Sequence, residues 1–247
     1  MTVASRPAEG WHSDHTGRHM PLVHYGSAGD PWIYVPTSGG DEQEFARYGM
    51  PEVCRPWIEA GRMHLVSIDG CGPRTLFSDS LAPRERIAGY AAFERYAAEE
   101  LLPWMRERTG RERIGLIGAS YGGYVVANLL FKVPEQVRVA FGMGGVYGLW
   151  HRLHGHHDDD VYFHTPLEYL PRLEDPAILE RIRATEGIVL YGARDDSWLE
   201  STERMAEVVA RKGIPHRVDI WGSPADHHER WWRQQLHKFL TETYGNP

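Results

Sequence analysis

Cysteine is scarce in this chain, and neither long apolar runs nor an excess of basic residues is present. The two cysteines, Cys54 and Cys71, provide no disulfide framework and no C-x-x-C metal pair. No stretch approaches the roughly 18 consecutive apolar residues that indicate a membrane-spanning helix. Because 34 Asp and Glu outnumber 27 Lys and Arg, the net charge is -7, which argues against nucleic acid or an anionic membrane as the main partner.

The N-terminal stretch and the overall composition are those of an ordinary globular protein. Residues 1–19 are polar and lack the apolar core, roughly 7–15 residues long, of a signal peptide, so we expect a cytoplasmic location. Hydrophobic residues make up 42% of the chain and charged residues 25%. We therefore expect a single domain over 1–247, and the oligomeric state is left open.

Strand-like and helix-like segments alternate along most of the chain. The strand-like segments are short, continuous apolar runs, which are typical of strands buried on both faces of a parallel sheet. We predict an α/β fold with a mostly parallel central sheet and helices on both faces. The predicted strands are 19–25, 32–35, 63–68, 113–117, 137–141, 187–191 and 218–221. The predicted helices are 52–59, 83–108, 120–132, 177–184, 198–212 and 229–244.

A His- and Asp-rich stretch at about 150–174 interrupts this alternation and shows no period. We interpret it as a short cap-like insertion. Imidazoles and carboxylates suit zinc, but these residues lack a regular helical spacing, and the run of Asp158 to Asp160 is typical of a solvated loop. We therefore predict neither a metal nor a cofactor. The histidines considered are His151, His154, His156, His157 and His164.

The most informative motif is Gly118-Ala119-Ser120-Tyr121-Gly122, which stands between a predicted strand and a predicted helix. This is the G-x-S-x-G pattern of the nucleophile elbow of α/β-hydrolases. A sharp strand-to-helix turn holds the serine hydroxyl clear of the backbone, and the small flanking residues let neighbouring chains pass closely. The sequence therefore predicts Ser120 as a nucleophile.

A serine nucleophile needs a histidine base and a carboxylate, which follow it in the order Ser, Asp or Glu, His in this fold. The acid is expected just past the strand 187–191, where Asp195 and Asp196 stand; the Gly-x-x-Asp spacing favours Asp195. The histidine is expected before the last helix, where His227 and His228 are adjacent. Both aspartates also suit a helix N-cap.

Two backbone N–H donors are expected to form an oxyanion hole. One belongs to the residue that follows the nucleophile, Tyr121. The other is expected in the Gly-rich loop after an early strand, and we predict Ser38 or Gly39.

Longer motifs give this chain a resemblance to a known family. The stretches 35–41 and 45–50, Asp158-Asp159-Asp160-Val161-Tyr162-Phe163 and the stretch 212–216 resemble the esterase branch of the α/β-hydrolase superfamily, which includes S-formylglutathione hydrolases, enterochelin esterases, feruloyl esterases and mycolyltransferases. Its small bacterial members carry His-Asp-Trp-x-Trp-Trp-Arg at the catalytic histidine. Counting back from Trp231-Trp232-Arg233 identifies His227 as that histidine, although His228 and Glu229 depart from the pattern.

The resemblance implies a serine esterase that acts on a small-molecule acyl ester or thioester through an acyl-enzyme. An acyltransferase would use the same triad with an alcohol in place of water. A non-catalytic binding module on a hydrolase scaffold is the third alternative, since the fold does not fix the function.

Overall fold

A mostly parallel sheet organises the chain. The computed structural model describes residues 9–149 and 151–246, and within these ranges the strands form a single sheet. They are β1 (Glu9–Ser13), β2 (Arg18–Tyr25), β3 (Asp30–Val35), β4 (Met63–Ile68), β5 (Ile114–Ala119), β6 (Val137–Met143), β7 (Ile188–Ala193) and β8 (His216–Trp221). Their order is β1-β2-β4-β3-β5-β6-β7-β8. β2 runs antiparallel to β1 and β4, and the other pairs are parallel.

Helices cover both faces of this sheet, which confirms the predicted α/β class. They are α1 (Glu44–Arg47), α2 (Met50–Glu59), α3 (Pro83–Tyr96), α4 (Leu102–Thr109), α5 (Tyr121–Lys132), α6 (Asp159–His164), α7 (Pro166–Arg172), α8 (Pro176–Arg183), α9 (Leu199–Arg211) and α10 (Glu229–Tyr244). α1, α2 and α10 pack on one face, and α3–α5 and α7–α9 on the other. Among the described residues, no helix combines the length and the apolarity needed to cross a membrane.

Side chains of the central strands are buried on both sides of the sheet. In β3, Trp32 and Tyr34 enter the core under α10, whereas Ile33 and Val35 enter the core under α5. Successive side chains of a strand point to opposite faces, so a strand covered on both sides must be apolar throughout. This packing explains the continuous apolar runs of the sequence.

The predicted long helix over 83–108 is interrupted. A π-helical turn, Ala97–Leu101, separates α3 from α4. Pro103 lies in the first turn of α4. Because proline has no N–H, it cannot donate to the carbonyl four residues earlier, and its ring crowds that carbonyl. The hydrogen-bond ladder therefore changes register at this point instead of continuing.

The His- and Asp-rich stretch contains two short helices, α6 and α7, where the sequence suggested no regular structure. Asp158 is the N-cap of α6, and its Oδ1 accepts a hydrogen bond of 2.9 Å from the N–H of Val161. Pro166 begins α7, where its fixed φ suits the first turn. Part of the acidic run thus caps a helix. Trp150, at the start of the predicted insertion, and residues 1–8 lie outside the described residues.

A buried polar cluster joins this insertion to the helix layer. Glu94 of α3 accepts a hydrogen bond from Lys132 of α5 (2.5 Å) and pairs with His164 of α6 (3.2 Å). Tyr124 and Asn128 of α5 donate to the backbone oxygen of His164. Burial alone would raise the pKa of Glu94, but the hydrogen bond with His164 and the charge of Lys132 outweigh it, and the pKa is lowered.

This docking point is remote from the predicted nucleophile. Asn128 and Lys132 lie 8 and 12 residues beyond Ser120 along α5, so they are about 12 and 18 Å from it at the helical rise of 1.5 Å per residue. α6 and α7 therefore pack against α3 and α5 at a distance from Ser120. The beginning of the insertion lies nearer the site, because the His151 ring packs at 4.5 Å from that of Trp198.

Candidate active site

Ser120 occupies a strained turn between β5 and α5. Its φ is 54° and its ψ is -116°, a conformation that costs a non-glycine residue about 1–3 kcal/mol. A Cβ on Gly118 would lie 2.2 Å from the backbone of Gly122, and a Cβ on Gly122 would lie 2.2 Å from the Val35 oxygen. The two glycines of the motif are therefore required by close backbone packing. The turn places Ser120 at the carboxyl end of the sheet, where ligands bind in such folds.

Three side chains from three loops form a continuous hydrogen-bonded chain. Ser120 Oγ lies 3.0 Å from Nε2 of His227, and Nδ1 of His227 lies 2.9 Å from Oδ2 of Asp196. The serine follows β5, the aspartate follows β7 and the histidine follows β8. The exposed fractions of the histidine and aspartate side chains are 23% and 2%. A base reachable from solvent is thus held by a buried carboxylate, as nucleophilic catalysis by serine requires.

The structure corrects the predicted acid from Asp195 to Asp196. Asp195 points outward, and its Oδ1 accepts a hydrogen bond of 2.8 Å from Ser223 Oγ. Its backbone N–H bonds to the oxygen of Ala225, and that of Arg194 bonds to the oxygen of Trp221. Backbone hydrogen bonds to the end of β8 and to the loop after it therefore continue past residue 191, where the sequence predicted the strand to end. Arg194 and Asp195 are exposed, and Asp196 is the first residue after β7 whose side chain is buried.

The buried carboxylate of Asp196 is fixed from both sides. Its Oδ1 accepts a hydrogen bond of 2.7 Å from the backbone N–H of Trp198, which leaves Oδ2 facing His227. Gly144, at a φ of +56°, lies beside the pair, and a Cβ there would be 2.8 Å from Asp196 Oδ2 and 3.1 Å from His227 Nδ1. Trp232 packs edge-on against the imidazole, with ring centroids 5.0 Å apart. The histidine is therefore held by packing as well as by hydrogen bonding.

His228, the alternative base, has a local structural role. Its half-exposed side chain lies at the N-cap of α10, with Nδ1 2.8 Å from Glu229 Oε2 and 3.3 Å from the backbone nitrogen of Arg230. Of the two histidines, His227 has its Nε2 at hydrogen-bond distance, 3.0 Å, from Ser120 Oγ. The structure thus brings His227, not His228, to the nucleophile.

One predicted oxyanion donor belongs to the elbow, and the loop that carries the other begins beside it. Tyr121 is the first residue of α5, so its N–H has no partner within the helix. β3 pairs with β5 such that Val35 lies beside Gly118. Beyond this pair, a Cβ on Gly122 would lie 2.2 and 2.8 Å from the oxygens of Val35 and Pro36, so the start of the loop that carries Ser38 and Gly39 contacts the elbow. The oxyanion-hole role of Tyr121, Ser38 and Gly39 stays a prediction.

Two histidines of the insertion pair with carboxylates. His156 pairs with Asp158 at 2.9 Å and His157 with Glu168 at 2.6 Å. Within residues 9–149 and 151–246, no three His, Cys, Asp or Glu side chains converge in a way that could hold a metal ion.

The sequence patterns assigned no role in the site to Trp232 or Glu44. Trp232 served only to locate the histidine and belongs to a stripe of aromatic residues in α10 that packs in the core, and Glu44 begins α1 after a polar stretch. The burial of Glu44, which is only 2% exposed, arises from tertiary packing. The feature of the sequence that could have pointed to Glu44 is the adjacent loop Thr37-Ser38-Gly39-Gly40.

The fold defines the class of α/β-hydrolases, and comparison with known proteins defines the family. A family model described as "Putative esterase" matches residues 82–243. The chain belongs to this family of carboxylic ester hydrolases, as the sequence motifs predicted. A sequence search of curated proteins finds no match.

Several solved structures share the fold at low sequence identity. A ferulic acid esterase is 14% identical, with 97% of this chain and 99% of that chain aligned and a TM-score of 0.75. FphF, a fluorophosphonate-binding serine hydrolase of Staphylococcus aureus, is 14% identical over 100% of both chains, with a TM-score of 0.74. An S-formylglutathione hydrolase from Agrobacterium tumefaciens is 14% identical over 98% and 97%, with a TM-score of 0.71.

Proposed function

We propose that this esterase hydrolyses small carboxylic esters or thioesters through an acyl-enzyme on Ser120. The observation that carries the proposal is the chain from Ser120 through His227 to Asp196, with links of 3.0 and 2.9 Å. These distances suit proton transfer between heavy atoms. The carboxylate orients Nδ1–H of the imidazole toward itself, which leaves Nε2 free to accept the serine proton.

In the first half-reaction, Ser120 Oγ attacks the carbonyl carbon while Nε2 of His227 takes the hydroxyl proton. The carbonyl oxygen becomes an oxyanion, which the N–H groups of Tyr121 and of Ser38 or Gly39 stabilise. When the intermediate collapses, the bond to the leaving alcohol or thiol breaks. His227 returns the proton to that leaving group, and the acyl group stays on Ser120.

In the second half-reaction, water takes the place of the leaving group. His227 Nε2 removes a proton from the water, whose oxygen attacks the acyl carbon. The second intermediate collapses with protonation of Ser120 Oγ, which releases the carboxylic acid and restores the free enzyme. Asp196 stabilises the imidazolium in both halves without taking its proton.

Labelling with a fluorophosphonate tests the proposal. We expect a stable adduct that peptide mass mapping places on Ser120. The adduct should be lost in His227→Ala and kept in His228→Ala, a matched control one residue away. Ser120→Ala should lower kcat by several orders of magnitude, as expected for groups that act as a unit. Full activity of Ser120→Ala would refute the proposal.

A substrate panel then separates the alternatives. Acyl chains of increasing length on p-nitrophenol, methyl ferulate and S-formylglutathione represent simple esters and the substrates named for two structural neighbours. Analysis of products with an added alcohol distinguishes hydrolysis from acyl transfer. A folded protein that gives neither an adduct nor turnover would favour a binding module.

A further inference from the structure

A buried carboxylate lies directly under the loop that follows β3. Glu44, the first residue of α1, is 2% exposed. Its Oε1 accepts hydrogen bonds from Tyr34 Oη (2.9 Å) and from the Thr37 N–H (2.8 Å), and its Oε2 accepts one from Thr37 Oγ1 (2.6 Å). Burial raises the pKa of Glu44, and these hydrogen bonds offset only part of that effect. A buried carboxylate is costly unless it is fully hydrogen-bonded, and this one receives three donors.

These bonds determine which N–H groups of the loop are available. The Thr37 N–H is directed to Glu44, and the Gly40 N–H closes a turn onto the Thr37 oxygen at 3.0 Å. Pro36 has no N–H. Within residues 36–40, Ser38 and Gly39 therefore provide the N–H groups that are not hydrogen-bonded to any described residue.

The loop is also held against the elbow and against the glutamate. A Cβ on Gly40 would lie 2.1 Å from Glu44 Oε2, so the turn sits directly on the carboxylate. A Cβ on Gly122 would lie 2.2 and 2.8 Å from the oxygens of Val35 and Pro36. The start of the loop thus contacts the elbow on one side, and the turn rests on the carboxylate on the other.

We propose that Glu44 is a positioning residue that fixes this loop so that the free N–H groups of Ser38 and Gly39 face the oxyanion formed at Ser120. The inference rests on the proposed function of Ser120. Glu44 does not touch the substrate. It acts through Thr37, whose backbone and hydroxyl it binds together, so that the next two peptide groups are oriented before the substrate arrives.

The test compares variants that remove different bonds from the same carboxylate. Glu44→Ala removes both loop contacts. Tyr34→Phe is the matched control, since it removes one hydrogen bond to Oε1 and leaves the loop contacts intact. Glu44→Gln is the conservative variant, because its amide oxygen can accept from Tyr34 and Thr37 N–H while its NH₂ donates to Thr37 Oγ1.

We expect Glu44→Ala to lower kcat by about 10²-fold, comparable to the loss of one oxyanion-hole donor, with KM changed less than about threefold. Rates are normalised to active sites titrated with a fluorophosphonate, so that an unfolded fraction does not count as lost activity. Tyr34→Phe should stay within about twofold of wild-type kcat although it lowers Tm, and Glu44→Gln should retain most of the activity.

Affinity for an alkyl boronic acid provides the second readout. Its tetrahedral adduct with serine places an oxygen where the oxyanion forms, so Ki should rise in Glu44→Ala by about the factor by which kcat/KM falls. If Glu44→Ala does not fold, Thr37→Val takes its place. That variant removes the hydroxyl contact and should lower kcat by more than Tyr34→Phe does.

Equal kcat in Glu44→Ala and wild type, or equal losses in Thr37→Val and Tyr34→Phe, would overturn the inference. Failure of the proposed function gives a different result, because wild type and Tyr34→Phe would then show neither a serine adduct nor turnover.

Discussion

Replacing Asp196 by Asn gives the sharpest test of the proposed triad, because the structure determines the orientation of the new amide group. The backbone N–H of Trp198 donates to Oδ1 at 2.7 Å, so the amide oxygen keeps that position and the NH₂ takes the place of Oδ2. The NH₂ then faces His227 Nδ1, now 2.9 Å from Oδ2. Two N–H groups cannot donate to each other, so Nδ1 must become an acceptor and the proton moves to Nε2.

An imidazole in this tautomer directs an N–H at Ser120 and cannot take the serine proton. We expect kcat to fall by about 10³–10⁴-fold, the scale seen when a triad histidine is held in the wrong tautomer. This loss corresponds to about 4–5.5 kcal/mol of transition-state stabilisation at 1.36 kcal/mol per tenfold change in rate. Tm should change little, because the amide preserves the shape and the bond to Trp198.

The adjacent Asp195→Asn is the matched control. Asp195 Oδ1 accepts from Ser223 Oγ, and an amide oxygen accepts equally well. We therefore expect turnover within about twofold of wild type. Steady-state kinetics on a p-nitrophenyl ester, with circular dichroism to confirm folding, checks both variants. The assignment of the acid fails if Asp196→Asn keeps more than about a tenth of the activity, or if Asp195→Asn loses as much.

Three further predictions concern the surroundings of the site and the core. Gly144→Ala should lower kcat at least about tenfold because its methyl crowds the acid–base pair, whereas Gly155→Ala, also at positive φ (82°) but in open space, should cost only about 1 kcal/mol of stability; equal kinetics would contradict this. Because the folded-state pKa of Glu94 is lowered from 4.5, its carboxylate stabilises the fold above that pH and loses this effect as pH falls through the lowered value. The Tm difference between wild type and Glu94→Gln should therefore shrink below about pH 4.5, and a constant difference would be inconsistent with it. Burial raises the pKa of Cys71 to about 11 and also raises that of Cys54, so neither thiol should react with iodoacetamide at neutral pH in the folded protein; rapid labelling seen by mass spectrometry would disprove this.

Local chemistry made the strand–turn–helix around Ser120 predictable, together with the chain order in which Ser120, an aspartate and His227 come together. Ser120 needs a short strand before it, a helix after it and glycines at two fixed positions, and all of these are visible in a few consecutive residues. The alternating apolar segments likewise predicted the parallel sheet, because strands buried on both faces have no polar side. The cytoplasmic location and the single domain over 1–247 stay predictions.

The identity of the acid depended on a strand end that the sequence did not reveal. A shift of one residue at such an end moves a side chain from one face of the sheet to the other. The backbone N–H groups of Arg194 and Asp195 bond to the oxygens of Trp221 and Ala225, so the hydrogen-bonded segment extends past residue 191. Asp196 follows this segment and is buried. These contacts come from residues about 30 positions away, beyond the reach of a local spacing rule.

The sequence by itself determined the fold class and the family of this protein and predicted Ser120 as its nucleophile, because each of these inferences depends on short-range patterns of apolar residues, glycines and turns. Only the tertiary structure decided which aspartate meets His227, that His164 docks onto Glu94, and that Glu44 is buried beneath the loop after β3. The reason is physical: packing between segments that are distant in the chain determines the partner of a polar side chain, and the residues next to it in the sequence do not indicate that partner.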